Sequence, residues 1–447
     1  MPRPMTCIPN TSDESVDRGR GFDPALFRWS RRLLLAILFL APLAFGSVEP
    51  WAWGAIILLT TAPFLLWVAG SMRNGTVVVV WSWLYLPAIA LLGVATIQLI
   101  FHLSLDPAGT SEALLKLAWC MLIFFLIVQL YYVAPHHVWS QLGLSVLLYS
   151  SLLGIFAIVQ FFAMPGLIYG IVPSPNVNFG PYVNRDHFAG LYEMLVPIAA
   201  AYYLASGRKS QFSLLWAFGL LIAIVALLFT GSRGGLLALI AEVVLFVLVI
   251  VLRTRSGLRA SLVWGAGGLL IAAIAFLLFI GPAWLPARMA TIFRVADPAV
   301  AGERPQVTRD TMRIFHDHLA MGTGLGTFEA VYPQYQSFMS DKSWPYAHND
   351  YAQLLAETGI IGGLSAAFAL WFFVYEGFWT SRRVPLLTTH AWIQLGAFLG
   401  CCGILAHSFV DFNLHIPANA AWFSACVGLA VTRQPPATRS AADADAS

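Results

Sequence analysis

The sequence predicts an all-α polytopic membrane protein with about twelve transmembrane helices and one large polar loop that contains short helices. Hydrophobic residues make up 59% of the 447-residue chain and charged residues only 11%, whereas soluble domains carry about a quarter charged residues. Apolar runs long enough to cross a bilayer follow one another along the chain. Each run must be helical because lipid offers the backbone no hydrogen-bond partner.

The apolar runs predict one membrane domain with a polar tail at each end. They cover residues 33–48, 53–71, 78–102, 113–134, 138–164, 188–205, 212–230, 236–252, 261–281, 359–379, 391–412 and 418–431. We expect residues 30–431 to form the membrane domain and residues 1–29 and 432–447 to be disordered. The first run directly follows several arginines, so we expect it to remain as an anchor and not to be cleaved as a signal peptide.

Lysine and arginine in the short loops predict the orientation. With twelve spans, these basic residues fall on one side of the membrane: Arg28, Arg31, Arg32, Arg73, Arg208, Lys209, Arg253, Arg255, Arg259, Arg382, Arg383, Arg433 and Arg439. Positive loops face the cytoplasm, so both termini and both tails are predicted to be cytoplasmic. The opposite side then holds segment 165–187 and the long loop, about residues 282–358.

Arg185 lies on the side where positive charge is not favoured. In PYVNRDHFAG it stands between Asn184 and Asp186, with His187 next. One interpretation is an interfacial ion pair with Asp186. The other is an anion ligand at a helix N-terminus, where backbone N–H groups and the helix dipole attract negative charge.

Arg233 lies on the same side, in the short turn FTGSRGGLLAL. Glycines on both sides let the backbone approach a ligand closely. An arginine at membrane level needs a counter-charge. A protein acid, Glu242 or Glu193, is one candidate. A lipid-borne phosphate is the other, since guanidinium binds phosphate in a bidentate manner.

The long loop supplies further arginines and a glycine-rich turn. The arginines are Arg288, Arg294, Arg304, Arg309 and Arg313. The stretch ERPQVTRDTMRIFHDHLAM predicts an amphipathic helix whose apolar residues are Val307, Met312, Ile314 and Phe315. The turn GTGLGTF that follows resembles a nucleotide loop only superficially, because it follows a helix and not a strand.

His348 is the candidate proton acceptor of the loop. It stands in WPYAHNDYAQLLAETGIIGG, just before a predicted helix that Asn349 or Asp350 can cap. A histidine can accept and release a proton near neutral pH, although a histidine here can also serve only in packing. Asp411, at the membrane edge in AHSFVDFNLHIPANA, needs a partner, and we expect one of the arginines.

No metal site is predicted. The five cysteines show no CxxC spacing, which excludes a common zinc and redox pattern. His407, Asp411 and His415 have the spacing i, i+4 and i+8, which would align them on one helix and allow a divalent-metal site. Their loop position and Pro417 argue against that alignment.

Four short motifs in order carry a family resemblance: NRDHFAG, TGSRGG, a loop arginine followed by a glycine-rich turn, and His-Asn followed by Leu-Leu-Ala-Glu-Thr-Gly. The last two consist of Gly302, Arg304, Gly324, Gly326, Phe328, His348, Asn349, Leu354, Leu355, Glu357 and Gly359. Over roughly residues 180–420 the chain resembles the O-antigen ligase and O-antigen polymerase superfamily. Thr308 stands where many members have Trp four residues after the loop arginine, so Arg309 competes with Arg304 for that role.

The resemblance implies a glycosyltransferase of the bacterial inner membrane with a periplasmic loop and active site. Its donor would be a glycan on undecaprenyl diphosphate, and its acceptor a hydroxyl of the lipid A core or of another glycan. We expect membrane lipid but no nucleic acid among its partners, and no cofactor or metal, because the leaving diphosphate chiefly needs charge stabilisation. Attack in one displacement would invert the anomeric configuration.

The resemblance also implies roles for individual residues. His348 would be the base. The diphosphate would be bound by Arg185, Arg233 and either Arg304 or Arg309. Asn349, Asp411 and His187 would support the site. Ligase and polymerase are equally consistent with these motifs, as are protein-glycosylating relatives. A polysaccharide transporter is the rival from another class, but transporter sites lie near the midplane between internal repeats.

Overall fold

The computed structural model describes residues 24–75, 77–132, 134–174, 177–253, 256–291, 302–383, 386 and 388–433. In these ranges the chain is a bundle of α-helices with a short antiparallel hairpin, Leu167–Ile168 and Val172–Pro173. The predicted all-α polytopic membrane fold is confirmed. The predicted tails lie mostly outside the described residues, but the first helix begins at Pro24, so residues 24–29 are helical and not a tail.

Fifteen α-helices are described. They are α1 (Pro24–Leu40), α2 (Pro50–Arg73), α3 (Tyr85–Ile100), α4 (Pro107–Tyr132), α5 (His136–Ala163), α6 (Arg185–Ala205), α7 (Ser213–Phe229), α8 (Arg233–Arg253), α9 (Ser256–Ile280), α10 (Trp284–Ala290), α11 (Arg304–Asp317), α12 (Phe328–Val331), α13 (Asp350–Arg383), α14 (Thr389–His407) and α15 (Pro417–Val431). All except α10, α11 and α12 correspond in order to the predicted spans. Short 3₁₀ turns cover Ala41–Leu43, Phe45–Ser47, Gly207–Lys209, Tyr332–Gln334 and Asn413–His415.

Seven of the described helices are long and apolar enough to cross a membrane: α2, α4, α5, α6, α8, α13 and α14. Shorter apolar helices are α3, α7, α15 and residues 263–279 of α9. Some predicted boundaries differ from the structure. The predicted span 33–48 ends as a helix at Leu40, and the span predicted from residue 359 begins at Asp350, inside the predicted loop.

The packing of α6 against α14 forms the centre of the bundle. Two glycines of α14 face α6 at close range. A side chain at Gly396 would lie 2.6 Å from the carbonyl oxygen of Pro197, and one at Gly400 would lie 2.8 Å from Cα of Met194. Small residues let helix backbones approach closely in a membrane, and this contact brings polar residues of the two helices together.

The loop helix α11 is amphipathic, as predicted, and packs on α13. Its Val307 and Ile314 are buried with residues of α12, whereas Met312, also predicted to be apolar-facing, is 38% exposed. Asp310 is buried on the same side of α11, and its carboxylate accepts hydrogen bonds from the backbone N–H and the hydroxyl of Ser337, each at 3.0 Å. The helix is therefore tied to the loop segment that follows it.

The glycine-rich turn wraps around protein groups. The Glu357 carboxylate of α13 accepts hydrogen bonds from the backbone N–H groups of Gly326, at 2.8 Å, and Phe328, at 3.2 Å. The Gln98 side chain accepts from the N–H of Leu325 at 2.9 Å and donates to the carbonyl of Glu357 at 2.8 Å. N–H groups that could have bound a phosphate are thus used to fix the loop to α3 and α13.

Candidate active site

His348 lies at the point where the long loop enters α13. Its φ angle is +51°, in the left-handed region that a residue other than glycine rarely adopts. The side-chain oxygen of Asn349 accepts hydrogen bonds from the N–H groups of Tyr351, at 3.1 Å, and Ala352, at 3.0 Å. Asn349, one of the two predicted capping residues, therefore caps α13. The cap fixes the position of His348 at the helix entrance.

The ring of His348 is directed at the connection between α14 and α15. Its Nδ1 atom lies 3.3 Å from Oδ1 of Asp411. The ring of Phe412 lies edge-on to the rings of both His348 and His187, with centroids 4.7 Å and 4.6 Å away. These contacts leave His348 partly accessible, with 14% of its side chain exposed, while Asp411 is 1% exposed.

Asp411 is surrounded by histidines. In addition to His348, Nε2 of His187 lies 4.0 Å from Oδ1 and Nε2 of His407 lies 3.9 Å from Oδ2. Burial would raise the pKa of the Asp411 carboxyl, but the hydrogen bond to His348 and the positive charge of Arg304 lower it more. The net effect holds the pKa of Asp411 well below its usual range, so the group is a carboxylate at neutral pH.

The pair of His348 and Asp411 has the geometry of a general base with an orienting carboxylate. When Nδ1–H donates to Asp411, the proton-accepting lone pair is on Nε2. The carboxylate also stabilises the imidazolium that forms once His348 has taken a proton, as in other carboxylate–histidine pairs. The pair can therefore accept a proton from a hydroxyl bound near Nε2.

Four arginines gather beside this pair, and all four are half-buried. Arg185 interacts electrostatically with Arg233, Arg288, Arg304 and Asp186. Arg304 lies 3.7 Å from Asp186 and donates to the carbonyl of Val410 at 3.2 Å. Because Val410 precedes Asp411, the arginine cluster and the histidine–aspartate pair adjoin. Several guanidinium groups at helix starts are suited to bind a multiply charged anion.

Asp186 interacts with more than one arginine. It lies 3.7 Å from Arg304 and acts electrostatically on its neighbour Arg185. Of the two acids predicted as counter-charges for Arg233, Glu193 hydrogen-bonds to His407 at 2.6 Å. Asp186 acts electrostatically on Arg233.

Asp411 was expected to contact an arginine, but its close contacts are histidines, and Arg304 acts on it at longer range. A buried carboxylate is thus stabilised by rings that can themselves exchange protons.

The two competing loop arginines occupy different environments on α11. Arg304, at the first turn, reaches Asp186 and Val410. Arg309 is exposed and hydrogen-bonds to Gln306 on its own helix at 2.7 Å. The geometry therefore favours Arg304 as a member of the arginine cluster.

The conceivable metal site does not form. His415 lies in a 3₁₀ turn, and its Nδ1 is 2.7 Å from Oδ1 of Asp350, so it does not join His407 and Asp411 on one helix face. Among the described residues, no group of three or more His, Cys, Asp or Glu could hold a metal ion.

Some members of the site were not found from the sequence. Arg288 appeared among the loop arginines without a role, yet its Nε donates to the carbonyl of Gly231 at 3.1 Å. This bond places it next to the Arg233 turn. The buried pair of Glu193 and His407 also escaped prediction, since its residues lie in separate spans. The signal that could have identified Glu193 and His407 is that each is an ionisable residue inside a predicted span.

An apolar cavity of about 540 Å³ opens next to the arginine cluster. It lies between α7, α8, α9 and the start of α10, and is lined by residues including Leu228, Leu236, Val243, Leu277 and Leu285. Leu236 follows Arg233 by less than one helical turn and Leu285 precedes Arg288 by less than one turn. The cavity therefore adjoins two of the four arginines.

Residues 218–367 match the family model described as O-Antigen ligase. The chain carries an O-antigen ligase domain. This confirms the superfamily predicted from the motifs, and lipopolysaccharide biosynthesis fits the family. The O-antigen ligase match includes Arg233, Arg288, Arg304 and His348, whereas Arg185 and Asp411 lie outside it. No curated protein matches the chain significantly.

The match to the O-Antigen ligase model supports a coarse activity. Members transfer glycans as ligases or polymerases, so the chain is an enzyme of the lipid-linked glycan type in a membrane. The family also implies lipid-linked glycan substrates and an acceptor in the membrane.

Proposed function

We propose that the chain is an O-antigen ligase-type glycosyltransferase of the bacterial inner membrane. It moves a glycan from undecaprenyl diphosphate to a hydroxyl of the lipid A core at the periplasmic face, with both termini in the cytoplasm. The observation that carries the proposal is the adjacency of a proton acceptor and an anion site: Arg304 bonds to Val410, and Asp411, paired with His348, is the next residue.

The reaction uses each part of this site in one displacement. The Nε2 atom of His348 takes the proton of the acceptor hydroxyl while that oxygen attacks the anomeric carbon. The bond from the anomeric carbon to the diphosphate oxygen breaks, and the arginine cluster stabilises the negative charge that collects there. Configuration is inverted because the attack and the departure occur on opposite faces. The arginines supply the charge stabilisation, so we expect no metal requirement.

The surroundings of the arginines support a lipid-linked donor. The apolar cavity beside Arg233 and Arg288 is lined by leucine, isoleucine and valine side chains, which suit a hydrocarbon chain. Arg185 and Arg233 are the first residues of α6 and α8, so the charged groups lie at helix ends. A position at helix ends supports transfer chemistry over transport, for which a site near the middle of the spans is usual.

A polymerase of the same superfamily is the alternative, since it needs the same base and the same diphosphate site. The two are separated by deleting the gene and examining the surface polysaccharide. Polymerised chains that are no longer attached to the lipid A core indicate a ligase. Single repeat units that are still attached indicate a polymerase.

Complementation of the deletion strain tests the assigned base. The wild-type gene is expected to restore the polysaccharide, and the His348→Ala variant at equal membrane abundance is not. Full restoration by His348→Ala would show that another group takes the proton. Unchanged polysaccharide after deletion would contradict the proposed function as a whole.

A further inference from the structure

A second histidine–carboxylate pair lies behind the first one. The Nδ1 atom of His407, at the end of α14, is 2.6 Å from Oε1 of Glu193 on α6. Both side chains are almost completely buried, with exposures of 1% and 0%. The mechanism above does not use this pair.

The two pairs form one chain of alternating acids and bases. On its other side, the His407 ring places Nε2 3.9 Å from Oδ2 of Asp411, and Oδ1 of Asp411 faces His348 at 3.3 Å. The order is Glu193, His407, Asp411, His348. Asp411 therefore lies between His348 and His407, and each nitrogen of His407 faces one carboxylate.

The surrounding helices make room for this chain. A side chain at Gly234, next to Arg233, would come within 2.2 Å of Nε2 of His407, so α8 can pass the ring only with glycine there. Buried oxygens of Glu193 and Asp411, Oε2 and Oδ2, have no hydrogen-bond partner. Such unpaired polar atoms are costly, and a buried ion pair seldom stabilises a fold better than apolar packing would. Stability alone does not explain why these groups are here.

We propose that Glu193 and His407 are positioning residues that act through Asp411 on the proton affinity of His348. This inference rests on the proposed function for its catalytic meaning. A histidine ring that lies between two carboxylates is favoured in its positively charged form. That charge, held by Glu193, weakens the pull of Asp411 on the proton of His348.

Other charged groups near these four residues also contribute to the electrostatic potential around them. They are Asp186 and His187 from α6, Glu242 from α8 and Arg304 from α11. Glu242 provides a matched control because it is also a buried carboxylate, interacts electrostatically with Glu193, and has Oε1 without a hydrogen-bond partner. The described contacts place it beside Gly403 and not in the chain of four.

The experiment measures His348 directly and does not depend on transfer. The purified full-length protein in detergent is treated with diethyl pyrocarbonate across a range of pH, and carbethoxylation of the His348 peptide is followed by mass spectrometry. The reagent modifies only the unprotonated ring. In Glu193→Gln the His407 ring loses the carboxylate that holds its positive charge, so the pH of half-maximal rate is expected to rise by about half a unit. In Glu242→Gln it is expected to remain at the wild-type value.

Transfer assays provide the second measurement. In Glu193→Gln the acidic limb of the pH–rate profile is expected to move to higher pH by the same amount, with the donor KM unchanged. In the His348→Ala background the same substitution is expected to cause no further loss, because residues that act as a unit are not additive. His407→Gln serves as the second variant if Glu193→Gln does not yield folded protein.

Each result decides a specific point. Equal shifts in Glu193→Gln and Glu242→Gln, or no shift in folded Glu193→Gln and His407→Gln, overturn the positioning role. A carbethoxylation shift confined to Glu193→Gln supports it, even if the wild-type protein proves to have no glycan-transfer activity. In that case the proposed function fails while the coupling of the four residues stands.

Discussion

The Nδ1 atom of His348 and the Oδ1 atom of Asp411 lie 3.3 Å apart, although 63 positions separate them in the chain. One residue lies near the end of the long loop and the other lies within the connection from α14 to α15. The contact therefore joins the loop to the membrane bundle at the point where Arg304 also arrives. A base in this position is oriented by the bundle.

Asp411→Asn tests the orienting carboxylate. The amide keeps the shape but removes the charge that stabilises the imidazolium of His348. We expect transfer to fall by about 10²- to 10⁴-fold, with little change in the donor KM, measured with a lipid-linked donor in proteoliposomes. Asp317→Asn, at a carboxylate that is 53% exposed on the loop helix, serves as the control and should retain activity. Activity in Asp411→Asn equal to that of the control would contradict an orienting role.

Arg304→Ala and Arg309→Ala separate the two loop arginines. Arg304 lies beside Asp186 and Val410, whereas Arg309 is exposed on the outer face of α11. Loss of a group that stabilises leaving-group charge costs about 10²- to 10³-fold in kcat, so we expect that loss for Arg304→Ala. For Arg309→Ala we expect a change of less than about threefold, as for surface substitutions generally. The opposite ranking would assign the diphosphate contact to Arg309.

Much of the fold could be predicted from the sequence because the constraint is strong. Lipid forces each apolar run to be helical, so the order of spans and the position of the long loop followed from hydropathy. Boundaries were less certain where a helix continues into polar sequence. The helix α13 begins at Asp350 and not near residue 359, because its first two turns are buried by loop residues and not by lipid.

The site was predicted in part. Charges on the unfavoured side of the membrane pointed to Arg185, Arg233 and the loop, and the structure brings these elements together. Pairings across the bundle could not be read from the sequence, because they depend on how α6, α8 and α14 pack. The link between Glu193 and His407, 214 positions apart, and the bond from Arg288 to Gly231 belong to this class.

Gly359→Ala tests the structural role of the glycine that ends the Leu-Leu-Ala-Glu-Thr-Gly motif. Gly359 has φ +63° and ψ −163°, and a side chain there would lie 2.4 Å from the carbonyl oxygen of Ala320. We expect a loss of at least about 2 kcal/mol of stability from backbone strain alone, seen as a lower unfolding temperature in detergent. Gly93→Ala, in α3 with open space around it, should gain up to about 1 kcal/mol. Equal unfolding temperatures for the two variants would show that residue 359 does not need glycine.

The contact between His415 and Asp350 predicts a pH-dependent part of the stability. Its two atoms, Nδ1 and Oδ1, lie 2.7 Å apart, and the same carboxylate accepts from the Ser408 hydroxyl at 2.7 Å. Burial would lower the pKa of His415, but the hydrogen bond and negative charge of Asp350 outweigh burial and raise it above 6.5. A raised pKa means that the protonated ring stabilises the folded state. This contribution is complete below about pH 6.5, the unfolded value, and is lost as pH rises through the folded value.

His415→Gln should therefore cost more stability at pH 6 than at pH 9. The measurement is the unfolding temperature of wild type and variant in detergent at both pH values, because the difference between the two proteins isolates His415 from other titrating groups. His316→Gln is the control: its side chain is 88% exposed, so we expect no difference at either pH. A His415→Gln deficit that is the same at pH 6 and pH 9 would mean that shape, and not charge, makes this contact stabilising.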